Sequence, residues 1–268
     1  MESNRQMNDW IVRYGFLLKK RNTDKQKDKF IQTFLSDVLN IRDDINVIEI
    51  EEKKRKYHNI YIGDVSKADK IITTYFDTPI VSFGDYSFTD TEKNKRNTLI
   101  RIAFESVASL CIGLGIFFFL MRVFEGTLLT TVLTVFALAF FYVFNGIVKG
   151  RPSSKTQVRN TSSIIEVMSL LEKYKKNKRV AFAVVDGGCT NEIGLVALKI
   201  SVKAQSRIYE LDSVGANTTL IVTEASDQKS FKIHPNLERL GNAILSEKID
   251  DVLLTRQRQE IETILEER

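Results

Sequence analysis

Residues 180–195 read VAFAVVDGGCTNEIGL, and this stretch decides the predicted fold. Its first six residues, Val180–Val185, are apolar without interruption, which is typical of a strand buried on both faces of a sheet. A loop of aspartate, glycine and polar residues follows, and a helix is predicted near residues 194–204. Strands that alternate with helices predict an α/β fold in which helices cover both faces of a largely parallel sheet.

The segments that follow and precede this stretch continue the alternation. An amphipathic helix is predicted over residues 162–174, and further strands over Arg207–Leu211 and residues 218–223. A final helical region is predicted over residues 236–267.

The first 96 residues add two helices and then strands. Apolar residues recur at helical spacing over residues 10–18 and 30–39, and the charged residues 51–56 suit a solvated hairpin turn. The strand-like runs are residues 46–51, 59–62 and Lys70–Tyr75, with a further short extended piece at residues 81–86. Residues 1–96 offer mostly sheet edges and residues 151–268 supply the buried strand, so we expect the two parts to form one discontinuous domain.

Composition sets limits on the class of protein. The chain has 268 residues, of which 43% are hydrophobic and 27% charged, and a net charge of +5. Its mean hydropathy is −0.13. These values exclude intrinsic disorder and collagen-like repeats. Two cysteines, Cys111 and Cys189, exclude a disulfide-rich scaffold and suit a reducing compartment.

Two long apolar runs interrupt the α/β pattern. Residues 102–121 carry Glu105 as their only charge, and residues 126–148 carry none. Each run reaches the length of about 20 residues that a helix needs to cross a membrane. The sequence therefore predicts a transmembrane helical hairpin at residues 97–150, inserted into the soluble domain. The alternative is a helical hairpin buried inside a soluble protein.

Charges beside the runs predict the orientation. Basic residues precede the first run and follow the second, and the short connection holds one arginine and one glutamate. By the positive-inside rule, both termini and the soluble domain are expected on the cytoplasmic side of the cell membrane. The basic excess suits anionic membrane lipids better than nucleic acid. Glu105 could reach the interface, face a partner or pair with Arg101, and the pairing is favoured.

Four short motifs, in order along the chain, carry a resemblance to a known family. Residues 75–78 (YFDT) stand where that family has His-x-Asp-Thr, and residues 159–163 (RNTSS) where it has Asp-Asn-x-Ser-Gly. Residues 191–195 (NEIGL) correspond to Glu-Glu-x-Gly-Leu, and residues 212–215 (DSVG) to Asp-x-x-Gly. The chain thus resembles the di-zinc aminopeptidase-like family, which includes zinc exopeptidases, glutaminyl cyclases and nicastrin.

The resemblance extends over about residues 10–96 and 155–215. It implies a three-layer sandwich built on a mostly parallel mixed sheet, with the hairpin inserted in the loop between the first two motifs. It also implies the positions of a site. Those positions are Tyr75, Asp77, Arg159, Asn191, Glu192 and Asp212.

Three of these positions depart from the family's chemistry. Tyr75 replaces the first histidine ligand, and Arg159, a permanent cation, replaces the bridging aspartate. Asn191 replaces the general base and cannot take a proton from water. The resemblance therefore implies a degenerate site with no catalytic residue, no metal and no cofactor.

The other three positions retain carboxylates. We expect Arg159 to pair with Asp77, Glu192 or Asp212, or else to point to solvent, since three carboxylates without a metal would repel one another. His58 and His234 lie in no ligand pattern and are expected in turns or at the surface.

The expected function is that of a membrane-anchored pseudopeptidase, a scaffold or accessory subunit of a membrane complex in peptide export or processing. Its expected partners are membrane lipids, an integral membrane protein or a second copy of the chain, and a peptide. One alternative is an active membrane peptidase or cyclase with a single zinc on Glu192, Asp212 and a histidine. Another is a peptide-binding or immunity-type membrane protein that acts alone. Cys189 is expected to be structural rather than a nucleophile.

Overall fold

The computed structural model describes residues 2–53, 55–189, 191–225, 227–236 and 247–267. The chain divides into two compact units, one of residues 1–79 with 153–268 and one of residues 80–152. The helices are α1 (Glu2–Val12), α2 (Asp24–Leu39), α3 (Thr91–Val123), α4 (Gly126–Val148), α5 (Ser162–Lys173), α6 (Ile193–Ser201) and α7 (Asp251–Glu267). The strands are β1 (Ile45–Glu52), β2 (Arg55–Ile62), β3 (Lys70–Tyr75), β4 (Val180–Val185), β5 (Arg207–Leu211), β6 (Leu220–Glu224) and β7 (Ser230–Pro235).

The first unit is built on one mixed sheet with the strand order β1-β2-β4-β3-β5-β7-β6. Its centre is parallel, because β3 pairs with both β4 and β5, and β5 pairs with β7. Antiparallel pairs flank this centre on both sides. The predicted α/β class and its mixed sheet are confirmed. In a parallel centre the carboxyl ends of the strands meet at one edge, where sites form in α/β proteins.

Strand β4 explains why the sheet has helices on both faces. Phe182 and Val184 belong to the larger apolar cluster, together with residues of α1, α2, α5 and α7. Ala181, Ala183 and Val185 point the other way, into a smaller cluster that includes Leu198 of α6. Alternate side chains of a strand face opposite sides, so a strand that is apolar throughout needs two covering layers. These layers make the three-layer sandwich.

Several element predictions were wrong in detail. Strand β7 was not predicted, because its Lys232 and His234 interrupt the apolar pattern. Residues 81–86 contain no strand, and nearby the structure has one isolated bridge between Ile80 and Pro152. The charged residues 51–56 mostly extend strands β1 and β2. The final helix begins at Asp251 in the described part of the chain, and residues 237–246 of the predicted helix lie outside it.

The second unit contains α3 and α4, which are both long and apolar enough to cross a membrane. In their most apolar stretches only 6% and 0% of the residues are buried. A helical hairpin in the core of a soluble protein would be mostly buried, so that alternative does not describe this unit.

Side chains along α3 contact α4 and the segment that follows it. Gly113 of α3 faces the ring of Phe140 on α4 so closely that a Cβ there would overlap it. Glu105 accepts a hydrogen bond of 2.9 Å from Nε of Arg101, and its other oxygen accepts one of 3.0 Å from Nε of Arg151. The favoured pairing of Glu105 with Arg101 is confirmed, and Arg151 is a second partner.

Candidate functional site at the carboxyl edge of the sheet

Tyr75, Asp212 and Arg159 meet at the carboxyl ends of the parallel strands. Tyr75 ends β3, and Asp212 follows β5 directly. The Tyr75 hydroxyl lies 3.1 Å from Oδ1 of Asp212 and 3.3 Å from the carbonyl oxygen of Arg159. This tyrosine therefore links two of the predicted positions, in the place where the family resemblance implies a metal-binding histidine.

Asp212 is fully buried, and both of its oxygens carry polar contacts. Besides Tyr75, Oδ1 accepts a hydrogen bond of 2.8 Å from the Ser213 hydroxyl. Its Oδ2 lies 3.4 Å from Nζ of Lys232. A buried carboxylate needs such partners because desolvation disfavours its charge.

Lys232 lies between two carboxylates. Its Nζ is 3.0 Å from Oε1 of Glu210 as well as 3.4 Å from Asp212. Glu210 and Lys232 face each other because they are register partners in the parallel pair of β5 and β7. Burial raises the pKa of Glu210, and the ammonium of Lys232 opposes that rise. One cation thus serves two acidic side chains.

Glu192 lies in a pocket beside this group. It directly precedes α6 and has a left-handed backbone, φ 58°, which is uncommon for a residue with a side chain. The pocket is lined by Thr73, Thr74, Tyr75, Val185, Gly188, Glu192, Leu195 and Glu210. Glu192 and Glu210 make the pocket acidic.

Asn191 is held by groups outside that pocket. Its amide donates a hydrogen bond of 2.9 Å to the Tyr57 hydroxyl, and its oxygen accepts one of 3.4 Å from the backbone of Ile193. The amide therefore helps to shape the start of α6.

Asp77 belongs to a second buried group, past the end of β3. Its carboxylate accepts a hydrogen bond of 3.1 Å from the backbone N–H of Cys189, whose thiol donates to the Asp77 carbonyl at 3.2 Å. Burial and the nearby Asp186 raise the pKa of Asp77 to about 7. Asp186 itself pairs with Lys27 at 2.6 Å.

Cys189 has the properties of a structural cysteine. Burial, and next the charge of Asp77, raise the pKa of its thiol well above the ordinary value. A nucleophilic cysteine needs the opposite shift, because the thiolate is the reactive form.

Arg159 lies in a π-helical turn, Gln157–Thr161, that contributes its backbone to the site. Its carbonyl oxygen lies 3.3 Å from the Tyr75 hydroxyl and 3.2 Å from the Ser213 hydroxyl. Burial and Asp77 raise the pKa of the Cys189 thiol, and the charge of Arg159 opposes that rise, so the guanidinium acts on the same region as the carboxylates. The predicted ion pair of Arg159 stays a prediction.

A buried arginine that the sequence did not reveal supports this turn. Arg21 is fully buried and donates to the carbonyl of Phe76 at 2.6 Å and to the side chain of Asn160. It also donates to the carbonyl of Leu18 at 2.8 Å. Burial lowers the pKa of Arg21 to about 10. These bonds tie the N-terminal helices to β3 and to the residue next to Arg159.

The predicted positions thus separate into two groups. Tyr75, Asp212 and the backbone of Arg159 are joined directly, and Glu192 lies in the pocket that Tyr75 lines. Asp77 and Asn191 bind to other partners. Four further charged residues of the site were not predicted from the sequence: Lys232, Glu210, Lys27 and Arg21.

The residues at this edge do not fit zinc. Tyr75, Ser213 and the ammonium of Lys232 already contact Asp212, which is one of the two ligand positions that retain a carboxylate. Within the described ranges, no three His, Cys, Asp or Glu side chains are grouped as metal ligands. Zinc sites in enzymes use three such side chains and an open position.

The two histidines lie away from any such group, and neither occupies a turn. His58 lies in β2, 3.5 Å from a carboxylate oxygen of Glu49. His234 lies in β7 and is only 5% exposed, which corrects its expected position at the surface or in a turn. Its Nε2 lies 2.9 Å from the Thr223 hydroxyl, and burial lowers its pKa.

The sequence matches no protein-family model and no curated protein. Solved structures do resemble the fold. A Zn-dependent exopeptidase from Parabacteroides distasonis is 10% identical with a TM-score of 0.54, and the match covers 97% of this chain and 96% of that one. The glutaminyl cyclase of Porphyromonas gingivalis is 8% identical with a TM-score of 0.55, over 100% of this chain and 98% of that one.

A further match is the LapA aminopeptidase of Legionella pneumophila, which is 12% identical with a TM-score of 0.43. The match covers 84% of this chain and 49% of the aminopeptidase, so this chain spans about half of its length. At such identities a likeness establishes the fold alone. The chain is an α/β protein with the fold of Zn-dependent exopeptidases and glutaminyl cyclases.

Proposed function

We propose that this protein is a catalytically inactive, membrane-anchored member of the aminopeptidase-like fold that serves as a scaffold or accessory subunit of a membrane complex. The anchor would be the helical hairpin of α3 and α4, with the soluble domain and both termini in the cytoplasm. The complex would be one that exports or processes peptides. An integral membrane protein, or a second copy of this chain, would be its partner.

The observation that carries the proposal is the engagement of Asp212. One of its oxygens accepts from Tyr75 and Ser213, and the other faces the ammonium of Lys232 at 3.4 Å. A metal ion would have to displace a cation that is already present. The general-base position is also replaced, since the neutral amide of Asn191 cannot accept a proton from water, and it donates a hydrogen bond to the Tyr57 hydroxyl.

Arg159 adds to this argument as a further built-in cation. We expect its guanidinium to stabilise the remaining carboxylates of the site, so Arg159→Ala should lower the melting temperature. Arg159→Lys keeps the charge and is the matched control. An unchanged melting temperature in Arg159→Ala would refute the ion pair.

The anchor rests on the exposure of apolar side chains along both helices. In α4, Leu138, Phe141 and Tyr142 are 71%, 66% and 84% exposed. Large continuous apolar surfaces of this kind mark contact with lipid or with other helices. We infer that lipid covers part of this surface and that partner helices cover the rest.

Three measurements on the full-length protein test the proposal. Alkaline carbonate extraction should leave it in the membrane fraction, and recovery in the soluble fraction would exclude the anchor. Purified protein should carry substoichiometric zinc and should not hydrolyse aminoacyl substrates or cyclise N-terminal glutamine. Stoichiometric zinc together with either activity would instead establish an active enzyme.

The partner is tested by isolation in mild detergent, followed by mass spectrometry and reciprocal isolation through the partner found. A variant in which an unrelated two-span hairpin replaces residues 102–148 serves as the control, because it stays in the membrane. We expect the partner to be lost in this variant. Isolation of a single chain without stoichiometric partners would favour a protein that acts alone.

A further inference from the structure

Glu105 organises a cluster of charges at the base of the helical hairpin. Its carboxylate oxygens lie 2.9 Å from the guanidinium of Arg101, and 2.9 Å and 3.0 Å from that of Arg151. One carboxylate thus shares two permanent cations, which leaves one net positive charge. The Glu105 side chain is 16% exposed, whereas that of Arg151 is 61% exposed. The surplus charge is therefore presented at the surface by Arg151.

The contacts of Glu105 also fix the position of this positive charge along the length of the hairpin. Arg101 precedes Glu105 by one helical turn in α3, and Arg151 follows the end of α4. The contact between Glu105 and Arg151 therefore joins the first helix of the hairpin to the segment that follows the second helix. The backbone N–H of Val81 also donates to the carbonyl of Arg151 at 3.0 Å. Gly150, with φ +82°, packs so closely on Ile80 that a side chain there would overlap it.

An aromatic side chain lies at the same level. The ring of Phe83 packs edge-on against Phe104, with 5.8 Å between the ring centres. The guanidinium of Arg101 lies 5.1 Å from the centre of the Phe83 ring. These contacts hold Arg101 against α3 and the segment before it, next to Glu105.

Along α3, the exposed side chains change from basic to apolar shortly before Leu99. Leu99, Ile100 and Phe104 are 66%, 52% and 63% exposed, and continue as the apolar surface of the helix. One to two turns earlier, Arg96 and Lys93 are exposed, and Arg96 precedes Ile100 by four residues on the same face. The boundary between polar and apolar surface is therefore sharp.

Exposed basic side chains flank the two apolar runs along the chain, before residue 102 and after residue 148. We call Lys93, Arg96, Lys149 and Arg151 the basic collar; all four are exposed. We propose that the basic collar binds the phosphate groups of anionic phospholipids in the leaflet where the hairpin enters the membrane. This inference rests on the proposed membrane anchor and adds a lipid class to it. Guanidinium and ammonium groups at this depth are within reach of headgroup phosphates.

The test uses full-length protein in bilayers of equal parts phosphatidylcholine and phosphatidylglycerol. Native mass spectrometry after release counts the lipids that the protein retains. We expect phosphatidylglycerol to be retained over phosphatidylcholine by roughly fivefold or more, because each basic group attracts anionic lipid. The variant Lys93→Gln, Arg96→Gln, Lys149→Gln, Arg151→Gln should retain both lipids equally.

A matched control removes four exposed lysines of the other unit and the same amount of charge. The substitutions are Lys175→Gln, Lys176→Gln, Lys178→Gln and Lys229→Gln. This control should keep the preference for phosphatidylglycerol. Equal retention by the wild type while it resists carbonate extraction would overturn the basic collar and leave the anchor intact. Release by carbonate would overturn both.

Discussion

The carboxyl edge of the sheet and the base of the helical hairpin each contain three acidic or basic side chains in contact, with opposite ratios of acids to bases. At the sheet edge, one cation, Lys232, serves two carboxylates, Glu210 and Asp212. At the hairpin base, one carboxylate, Glu105, serves two cations, Arg101 and Arg151. The first group contains two acids and one base, and the second contains two bases and one acid.

Burial separates the two groups further. Asp212 is fully buried and the Lys232 side chain is 16% exposed, whereas the Arg151 side chain is 61% exposed. Removing one partner of a buried pair leaves an uncompensated charge in a medium that solvates it poorly, while an exposed group regains water. Substitutions of these residues at the sheet edge should therefore lower the free energy of unfolding more than substitutions at the hairpin base. The two groups differ in this way although each contains three acidic or basic residues.

The largest expected effect comes from Lys232→Met. It leaves Glu210 and Asp212 without their shared cation, and we expect the free energy of unfolding to fall by about 4 kcal/mol. Trp10, the only tryptophan, is buried in the same unit and reports unfolding by fluorescence during urea titration. Lys229→Met, at an exposed neighbouring position, is the control. The double variant with Glu210→Gln should recover part of the loss, and a loss no larger than that of the control would contradict this account.

A smaller effect is expected from pH, through the second buried group of the sheet edge. The unfolded carboxyl of Asp77 is ionised throughout pH 5.5–7.5, whereas burial raises its folded pKa to about 7. The folded state therefore binds more protons in this range, so stability falls as pH rises, by about 2 kcal/mol from this group. Glu166, whose pKa burial also raises to about 7, adds to the slope.

Asp77→Asn should remove its share of the slope, measured as unfolding free energy at the two ends of that range. Asp64→Asn is the matched control, because hydrogen bonds from Lys67 and Ser66 lower the pKa of Asp64 to about 2, so it titrates below this range. A slope that Asp77→Asn leaves unchanged would show that the carboxyl of Asp77 is already ionised in the folded protein.

The contrast also explains what the sequence could predict. The apolar run Val180–Val185 has a single solution in an α/β protein, a central strand, and its bounds are correct. Motifs at the predicted strand ends assigned Asp212 and Tyr75 to one site, and in the structure their side chains are within hydrogen-bond distance. Local patterns carry such information because strands and their ends are local features.

The charge partners could not be predicted in the same way. Lys232 reaches Asp212 only because β7 lies beside β5, and a strand containing Lys232 and His234 has no clear apolar alternation. Arg21 bonds to Asn160, which lies 139 residues away along the chain. The i,i+4 pair of Arg101 and Glu105 was predicted because both residues lie on one helix, whereas Arg151 was not. Pairs within one element can be read from spacing, and pairs between elements require the topology.

The smallest effect is expected from Glu105→Gln. The substitution leaves two arginines at the hairpin base, and because Arg151 is exposed, the loss should stay below about 1 kcal/mol. Hydrogen–deuterium exchange of the peptides that contain residues 101–105 and 149–152, measured in bilayer nanodiscs, should accelerate by less than about fivefold. Glu125→Gln, at the opposite end of the hairpin, is the matched control. Acceleration of more than about a hundredfold, equivalent to nearly 3 kcal/mol, would mean that the pair is as costly to break as a buried one. In that case the difference in burial would not explain the stability effects at the two places. The feature they have in common, one side chain shared between two oppositely charged partners, would then determine the loss of free energy.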